Sequence, residues 1–515
     1  MSGVVALTAS TVIVKIIGLA YKIPLISILG AEGMGYFNTA YEIFALLCGV
    51  STSGLPVAVS MLVSASREVG DAARARGIYK TSSALLITKG LLFSAGLMFL
   101  AEPLSAALGN TDAYYAILAI SPALFFTSVA GAVRGYFQGC RVMAPTAISQ
   151  LIEALGKLVF GVAFAALFVA GGAKIPVAAA FAALGVSLGS FLSAMFLFVR
   201  KRAESGGRAY GKVKGRTGSY FLALLRISLP ITVSSALVGS TRIIDMALIL
   251  RRLGDIGVSA SRANEIYGSY TTLALPVFLL APAFIPPITE SLIPRLSAAV
   301  ESGSEEEQRV AVSNAMRLTI FLAMPASMGI AVYSRQILSL LFGGQTDAID
   351  ISAPLLSVLG VSVLFSCLIT ATTAVLQSYR RVLLPIFSLS AGAVVKAVSA
   401  YFFIGDARFG AMGAPISTLL SNLTVFGFNF VFLIQVTKGR TGIFSQMPKP
   451  FFASAVAMAA SYATFLPLRK VTGSETLPFL AALCVAVGMY LLLTCVTGVI
   501  SKDDLKMIIP RKNEG

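Results

Sequence analysis

Apolar residues in this chain fall in long runs separated by short polar turns, from one end to the other. A helix that spans a bilayer needs about 20 mostly apolar residues. On that rule the pattern predicts about fourteen spans, at 3–29, 34–65, 78–101, 113–138, 145–171, 176–199, 219–250, 263–294, 310–334, 351–378, 383–404, 411–436, 450–468 and 476–499. The expected fold is therefore all-α and integral to a membrane. The first two runs meet at a short turn, Gly30-Ala-Glu-Gly33. The eighth holds Pro276, Pro282, Pro286, Pro287 and Pro294. Prolines break the backbone ladder and are tolerated at membrane depth only beside protein or water. That span reads either as a kinked structural helix or as a bending gate wall.

Polar residues inside the runs stand out against this background. Lys15 and Lys22 lie seven residues apart in the first span, so they share nearly one helical face. A charge near the bilayer centre costs roughly 2.5–3.5 kcal/mol on insertion scales, so a stripe of two lysines implies a wet or paired interior. Lys22 can alternatively snorkel to an interface on its long stem; Lys15 is deeper. Asn38 and Glu42 share a face of the second span. Glu153 and Lys157 sit four apart in the fifth, acid first, which is the favourable order for a self-neutralising structural pair. In the seventh span, Ser240-Thr-Arg-Ile-Ile-Asp245 places Arg242 and Asp245 three apart, ready to pair, with Asp245 alternatively facing the lysines. Glu265 opens the eighth span.

A weak but ordered internal repeat divides the chain. Gln138-x-x-Arg141 precedes Pro145 and Lys157, and Gln377-x-x-Arg380 precedes Pro385 and Lys396, with 19 residues from Gln to Lys in both. Gly54-Leu-Pro56 is answered by Ile285-Pro-Pro287. Paired repeats are a transporter signature, with the site at their interface. The expected organisation is an N-lobe of six spans at 1–203, a basic cytoplasmic linker at 204–218, a C-lobe of six spans at 219–440, and two further spans with a tail at 441–515. The linker reads as a loop held against anionic lipid headgroups, as a strap between the lobes, or as both.

Composition agrees. The 515 residues are 57% hydrophobic and 12% charged, where a soluble domain carries about 25% charged residues. The net charge is +17, yet the basic residues sit mostly in loops between apolar runs. They are about three times as frequent on the side that carries the N-terminus as on the other. That bias excludes nucleic acid as the partner and predicts both termini in the cytoplasm. The first run lacks a basic leader, so no cleavable signal peptide is expected. The five cysteines lack metal-ligand spacing, and the absence of histidine excludes histidine-based catalysis and relays. No Walker A sequence and no nucleophile–base–acid set is present. A transporter, not an enzyme, is expected, with no cofactor and with coupling to either the membrane potential or a monovalent cation. A basic interior suits a bulky anion such as a lipid-linked diphosphate sugar, which lysine and arginine hold by charge-assisted hydrogen bonds.

Several phrases are specific. Lys15-Ile-Ile-Gly-Leu-Ala-Tyr-Lys-Ile-Pro-Leu, Leu29-Gly-Ala-Glu-Gly-Met-Gly-Tyr, Ser51-Thr-Ser-Gly-Leu-Pro-Val-Ala-Val-Ser60, Arg134-Gly-Tyr-Phe-Gln-Gly139 and Asn264-Glu-Ile-Tyr-Gly268 resemble the SpoVB-like branch of the MurJ and polysaccharide-exporter families. The likeness spans most of the chain. It implies a two-lobed flippase of the MOP superfamily, whose helices one, two, seven and eight line a cavity that alternates between membrane faces. The substrate class implied is undecaprenyl-diphosphate-linked sugars, lipid II foremost. Lys15 matches a basic residue of the family pattern, whereas Tyr21-Lys22 stands where the family tends to carry an Arg-Asp pair.

On this reading Lys15, Lys22 and Arg242 contact the diphosphate. Asn38, Glu42, Asp245 and Glu265 are cavity polar groups that balance the lysines or bind a coupling cation. Expected partners are the lipid-linked sugar, anionic lipids and, as a further candidate, cell-wall synthesis proteins. The alternatives are export of another polyprenyl-linked oligosaccharide, efflux of cationic drugs, and a non-transporting scaffold of a wall-synthesis complex.

Overall fold

The computed structural model describes residues 2–205, 217–286, 296–439 and 442–498. All regular structure among them is helical. In chain order the helices are α1 (Ser2–Thr52), α2 (Gly54–Glu68), α3 (Ala72–Phe99), α4 (Ala101–Ala107), α5 (Tyr114–Gly139), α6 (Ala144–Ala170), α7 (Ile175–Ser205), α8 (Thr217–Asp255), α9 (Ala260–Ser269) and α10 (Leu275–Ala283). A helical segment at 296–301 is α11. It is followed by α12 (Glu305–Val332), α13 (Ser334–Phe342), α14 (Thr346–Ser378), α15 (Leu383–Ile404), α16 (Gly413–Val436), α17 (Ile443–Gln446), α18 (Pro448–Thr472) and α19 (Thr476–Val496).

Thirteen stretches among the described residues are long and apolar enough to cross a membrane. The expectation was about fourteen. The difference lies at the start, where Ile16–Glu68 runs for 53 residues as one helical stretch. That is more than twice the ~20 residues one crossing needs. It is broken at Gly30, whose φ of 68° and ψ of 177° leave the helix. Positive φ is cheap only for glycine, so Gly30 is where the two expected runs part. The last two expected spans are α18 and α19.

The described chain packs as two compact units, Met1–Thr272 and Leu273–Gly515. The division by packing falls within the eighth expected span, so α8 and α9 belong with α1–α7. The repeat-based lobes, 1–203 and 219–440, divide the sequence instead. Most of the basic linker between them lies outside the described residues.

Within the first unit, α6 and α7 cross on glycines. A Cβ on Gly185 would lie 2.4 Å from the Gly161 Cα, and one on Gly156 would lie 2.7 Å from the Gly189 Cα. Apolar side chains gain little by leaving lipid for another helix, so membrane helices associate through such close backbone contacts. The repeat is visible in the backbone as well. Arg141 and Arg380 both take left-handed conformations, φ 60° and 59°, just past α5 and α14. Arg141 is ion-paired with Glu68, and Arg380 with Glu301 at 2.6 Å.

Candidate functional site

Five of the polar residues singled out in the first unit, Lys22, Asn38, Glu42, Lys157 and Arg242, gather where the two segments of α1 meet α6, α8 and α9. Gly35 and Gly268 make that approach possible. A Cβ on Gly35 would sit 2.4 Å from the Asn264 carbonyl oxygen, and one on Gly268 would sit 1.9 Å from that of Ala31. No larger residue fits at either place.

Beyond α9 the helix widens into a π turn at Tyr270–Ala274. In that register each carbonyl bonds the N–H five residues on. The Thr271 carbonyl would need residue 276, which is proline and has no N–H. The Lys22 ammonium donates to the Thr271 carbonyl instead, at 2.8 Å. Asn38, 3% exposed, donates through Nδ2 to the hydroxyls of Thr271 and Thr272, each at 2.8 Å. Buried Asn264 donates to the Glu32 carbonyl at 2.6 Å and accepts from Asn110 at 2.8 Å. Asn110 and the two threonines went unnoticed in the sequence. The threonines show in the sequence only as polarity within an apolar run, and Asn110 lies in the turn between two runs.

The expected pair of Arg242 with Asp245 is replaced. Arg242 reaches across to Glu42, with Nη1 3.7 Å from Oε2. The cause is helix packing. Gly239 of α8 seats against Leu46 of α1, where a Cβ would come within 2.7 Å of Leu Cδ1. One turn along each helix, Arg242 and Glu42 then fall opposite one another. Asp245 is buried on α8, 6% exposed.

The expected Glu153–Lys157 pair is also replaced. Glu153 accepts from Arg134 of α5 at 2.7 Å, and the same guanidinium donates to Ser149 and Ser193 at 2.9 and 2.8 Å. Glycine again explains it. A Cβ on Gly189 would lie 2.7 Å from the Glu153 carbonyl oxygen and 2.8 Å from the Lys157 amide nitrogen. The α7 backbone therefore covers α6 here, and α5 and α7 supply the partners of Glu153. Lys157 turns to α1. Its Nζ lies 3.4 Å from the Tyr41 hydroxyl, 4.7 Å from the Tyr41 ring centroid and 5.1 Å from that of Tyr21. Its repeat counterpart, Lys396, is buried in α15 at 9% exposure.

Glu265 does not join the cluster; it pairs with Arg262 at 2.6 Å in the first turns of α9. Lys15 belongs to α1, but its side chain lies outside the described residues.

Around Lys22 the charged groups in electrostatic reach are Glu42, Lys157 and Arg242. Among the described residues this set holds three cations, Lys22 included, and one acid. Such a set can bind oxyanions. No group of three or more potential metal ligands occurs among the described residues.

The second unit carries an apolar groove of about 620 Å³ between α10, α12, α13, α18 and α19. Phe284, Pro325, Tyr333, Phe479, Ala486 and Leu491 are among its walls. Its almost wholly apolar lining suits an alkyl or prenyl chain.

A family model described as polysaccharide biosynthesis protein matches residues 1–300, and a MatE model matches residues 230–402. The chain is 26% identical over 459 residues to "Lipid II flippase MurJ" of Bacillus subtilis (strain 168), covering 84% of this chain and 82% of the relative. It is 24% identical to "Stage V sporulation protein B" of the same organism, over 99% and 97% of the two chains. Among solved structures it is similar to "Lipid II flippase MurJ, inward closed conformation", with a TM-score of 0.71, 12% identity and coverage of 96% and 98%. It is similar as well to an inward-facing MATE family transporter of the MOP superfamily, with a TM-score of 0.70, 15% identity and coverage of 85% and 98%.

Proposed function

We propose, from the premise that this chain belongs to the polysaccharide biosynthesis protein family within the MOP superfamily, that it is a flippase for a lipid-linked diphosphate sugar. Lipid II is the leading substrate, moved from the inner to the outer leaflet. The observation that carries this reading is the cationic set in the first unit. Among the described residues, Lys22, Lys157 and Arg242 stand with Glu42 as the one acid in electrostatic reach of Lys22. An uncompensated positive set at membrane depth is costly, and an anionic headgroup offsets that cost.

Lys22 and Arg242 contact the diphosphate, and Lys15 extends the stripe along α1. Glu42 holds Arg242 when no substrate is bound, and Glu42 or Asp245 serves a coupling cation or the membrane potential. The prenyl chain lies in the apolar groove beside α19. Burying a chain there contributes about 0.8 kcal/mol per CH₂ relative to water, but little relative to lipid. The groove therefore guides the tail, and the headgroup site supplies the selectivity. Both termini face the cytoplasm on the loop charge bias. Efflux of cationic drugs fits less well, because it calls for an acidic interior.

The test uses cells in which this protein is the one flippase present and can be depleted. Externally exposed lipid II is labelled with a membrane-impermeant reagent. Loss of labelling while total lipid II accumulates supports the reading. Unchanged labelling removes lipid II and shifts the substrate to another polyprenyl-linked glycan. The double variant Lys15→Ala, Lys22→Ala abolishes export if the cationic stripe is the site; intact export overturns that site.

A further inference from the structure

We infer that Lys157 is a substrate-binding residue, which with Lys22 and the phenols of Tyr21 and Tyr41 forms a subsite selective for a diphosphate over a monophosphate. This rests on the reading that the chain moves a lipid-linked diphosphate.

An ammonium has three donors and no acceptor. Lys22 uses one of them, on the Thr271 carbonyl at 2.8 Å. Lys157 makes one long contact, 3.4 Å to the Tyr41 hydroxyl, and rests on the two tyrosine rings. Neither amine has a carboxylate at ion-pair distance among the described residues. The acid expected to neutralise Lys157, Glu153, is taken by Arg134. The acid nearest to Lys22 in charge terms, Glu42, faces Arg242. Cation–π contact holds an ammonium in place electrostatically and leaves its N–H donors directed elsewhere. Two amines in electrostatic reach of each other, each with donors to spare, repel when the site is empty. An anion between them removes that repulsion.

Tyr21 strengthens the assignment. It neighbours Lys22 in sequence and is 1% exposed, and its buried hydroxyl has no hydrogen-bond partner among the described residues. That oxygen would lie 2.8 Å from a Cβ on Gly161, one turn beyond Lys157 on α6. A buried hydroxyl without a partner is costly, and a phosphate oxygen is an acceptor that satisfies it. Two amines match two phosphoryl groups. A monophosphate or a phosphodiester offers one group and leaves the second ammonium uncompensated.

The test is a binding measurement on the full chain in nanodiscs of neutral lipid, with farnesyl diphosphate and farnesyl monophosphate as probes. The wild type is expected to prefer the diphosphate. Lys157→Gln is expected to weaken diphosphate binding about tenfold or more, the scale of one lost hydrogen bond to a charged group. Monophosphate binding changes little, so the preference collapses towards one. Lys157→Arg retains most of the preference. A structural role for Lys157 instead weakens both probes in parallel, and that result overturns the inference. So does a Lys157→Gln protein that keeps the wild-type preference. Thermal unfolding of each variant checks that it is folded, and Lys157→Met, expected to lose the preference in the same way, carries the test if the glutamine variant is not. The flippase reading is judged separately, by lipid II labelling. If labelling is unaffected by depletion while the preference depends on Lys157, the subsite stands and lipid II falls. If Lys157→Gln leaves the preference intact while depletion blocks export, the flippase stands and the subsite falls. A wild type that binds neither probe overturns both.

Discussion

The Lys22 ammonium donates to the main-chain carbonyl of Thr271, a residue 249 positions away, at 2.8 Å. A charged side chain of α1 thus occupies the backbone acceptor that the π turn and Pro276 leave without an N–H. The same contact ties a proposed substrate-binding group to the broken helix. A substrate that drew Lys22 away would release that carbonyl and so couple occupancy of the proposed site to the shape of the helix.

Replacing Lys22 with Met is expected to abolish export and to lower stability by about 1–3 kcal/mol, the cost of leaving a buried acceptor unpaired. Pro276→Ala supplies the missing N–H. It is expected to hold stability or raise it while slowing export, because Thr271 then has a partner within its own helix. Thermal unfolding together with the lipid II labelling assay separates the two effects.

Breaking the Arg134–Glu153 pair is expected to cost about 3 kcal/mol, since the remaining charge is left in a largely buried network. A double-mutant cycle between these residues should give a coupling above about 1 kcal/mol. The cycle between Glu153 and Lys157 should give almost none, although that pair has the better sequence spacing. Coupling between Glu153 and Lys157 as large as that of Arg134 with Glu153 would refute the observed partnership.

Gly268→Ala is expected to prevent normal assembly of the first unit, because the new methyl would lie 1.9 Å from the Ala31 carbonyl oxygen. Gly96→Ala in α3 meets nothing within 4 Å and should be neutral or stabilising, by up to about 1 kcal/mol from helix propensity. The yield of monodisperse protein and its unfolding temperature read out the contrast.

Arg141 and Arg380 hold left-handed conformations that glycine adopts more easily. Their ion pairs are exposed and worth at most about 1 kcal/mol each. Arg141→Gly and Arg380→Gly should therefore leave stability nearly unchanged. The β-branched Arg141→Val should lose about 1–3 kcal/mol. Paired thermal melts of the glycine and valine variants test this.

Gly329 lines the apolar groove and has open space where a side chain would go. Gly329→Leu is expected to fill part of the groove, hold or raise the unfolding temperature, and reduce export of the lipid-linked substrate. Export at the wild-type rate from a correctly folded variant would mean that the prenyl chain travels elsewhere.

The sequence by itself determined the membrane architecture, because the length and composition of an apolar run are local properties and the bilayer imposes one solution on them. It determined the break at Gly30, the repeat around Gln138 and Gln377, and the charged residues Lys22, Glu42, Lys157 and Arg242 from which the proposed site is built. Tertiary structure decided who meets whom. Spacing of three or four places two residues on one face of one helix, which made Glu153–Lys157 and Arg242–Asp245 look like pairs. It cannot say which helix will cover that face. That choice was made by Gly35, Gly189, Gly239 and Gly268, whose missing side chains let particular backbones touch. The charges on each face then took the partners those contacts brought within reach: Arg134 for Glu153, Glu42 for Arg242, and two tyrosine rings for Lys157.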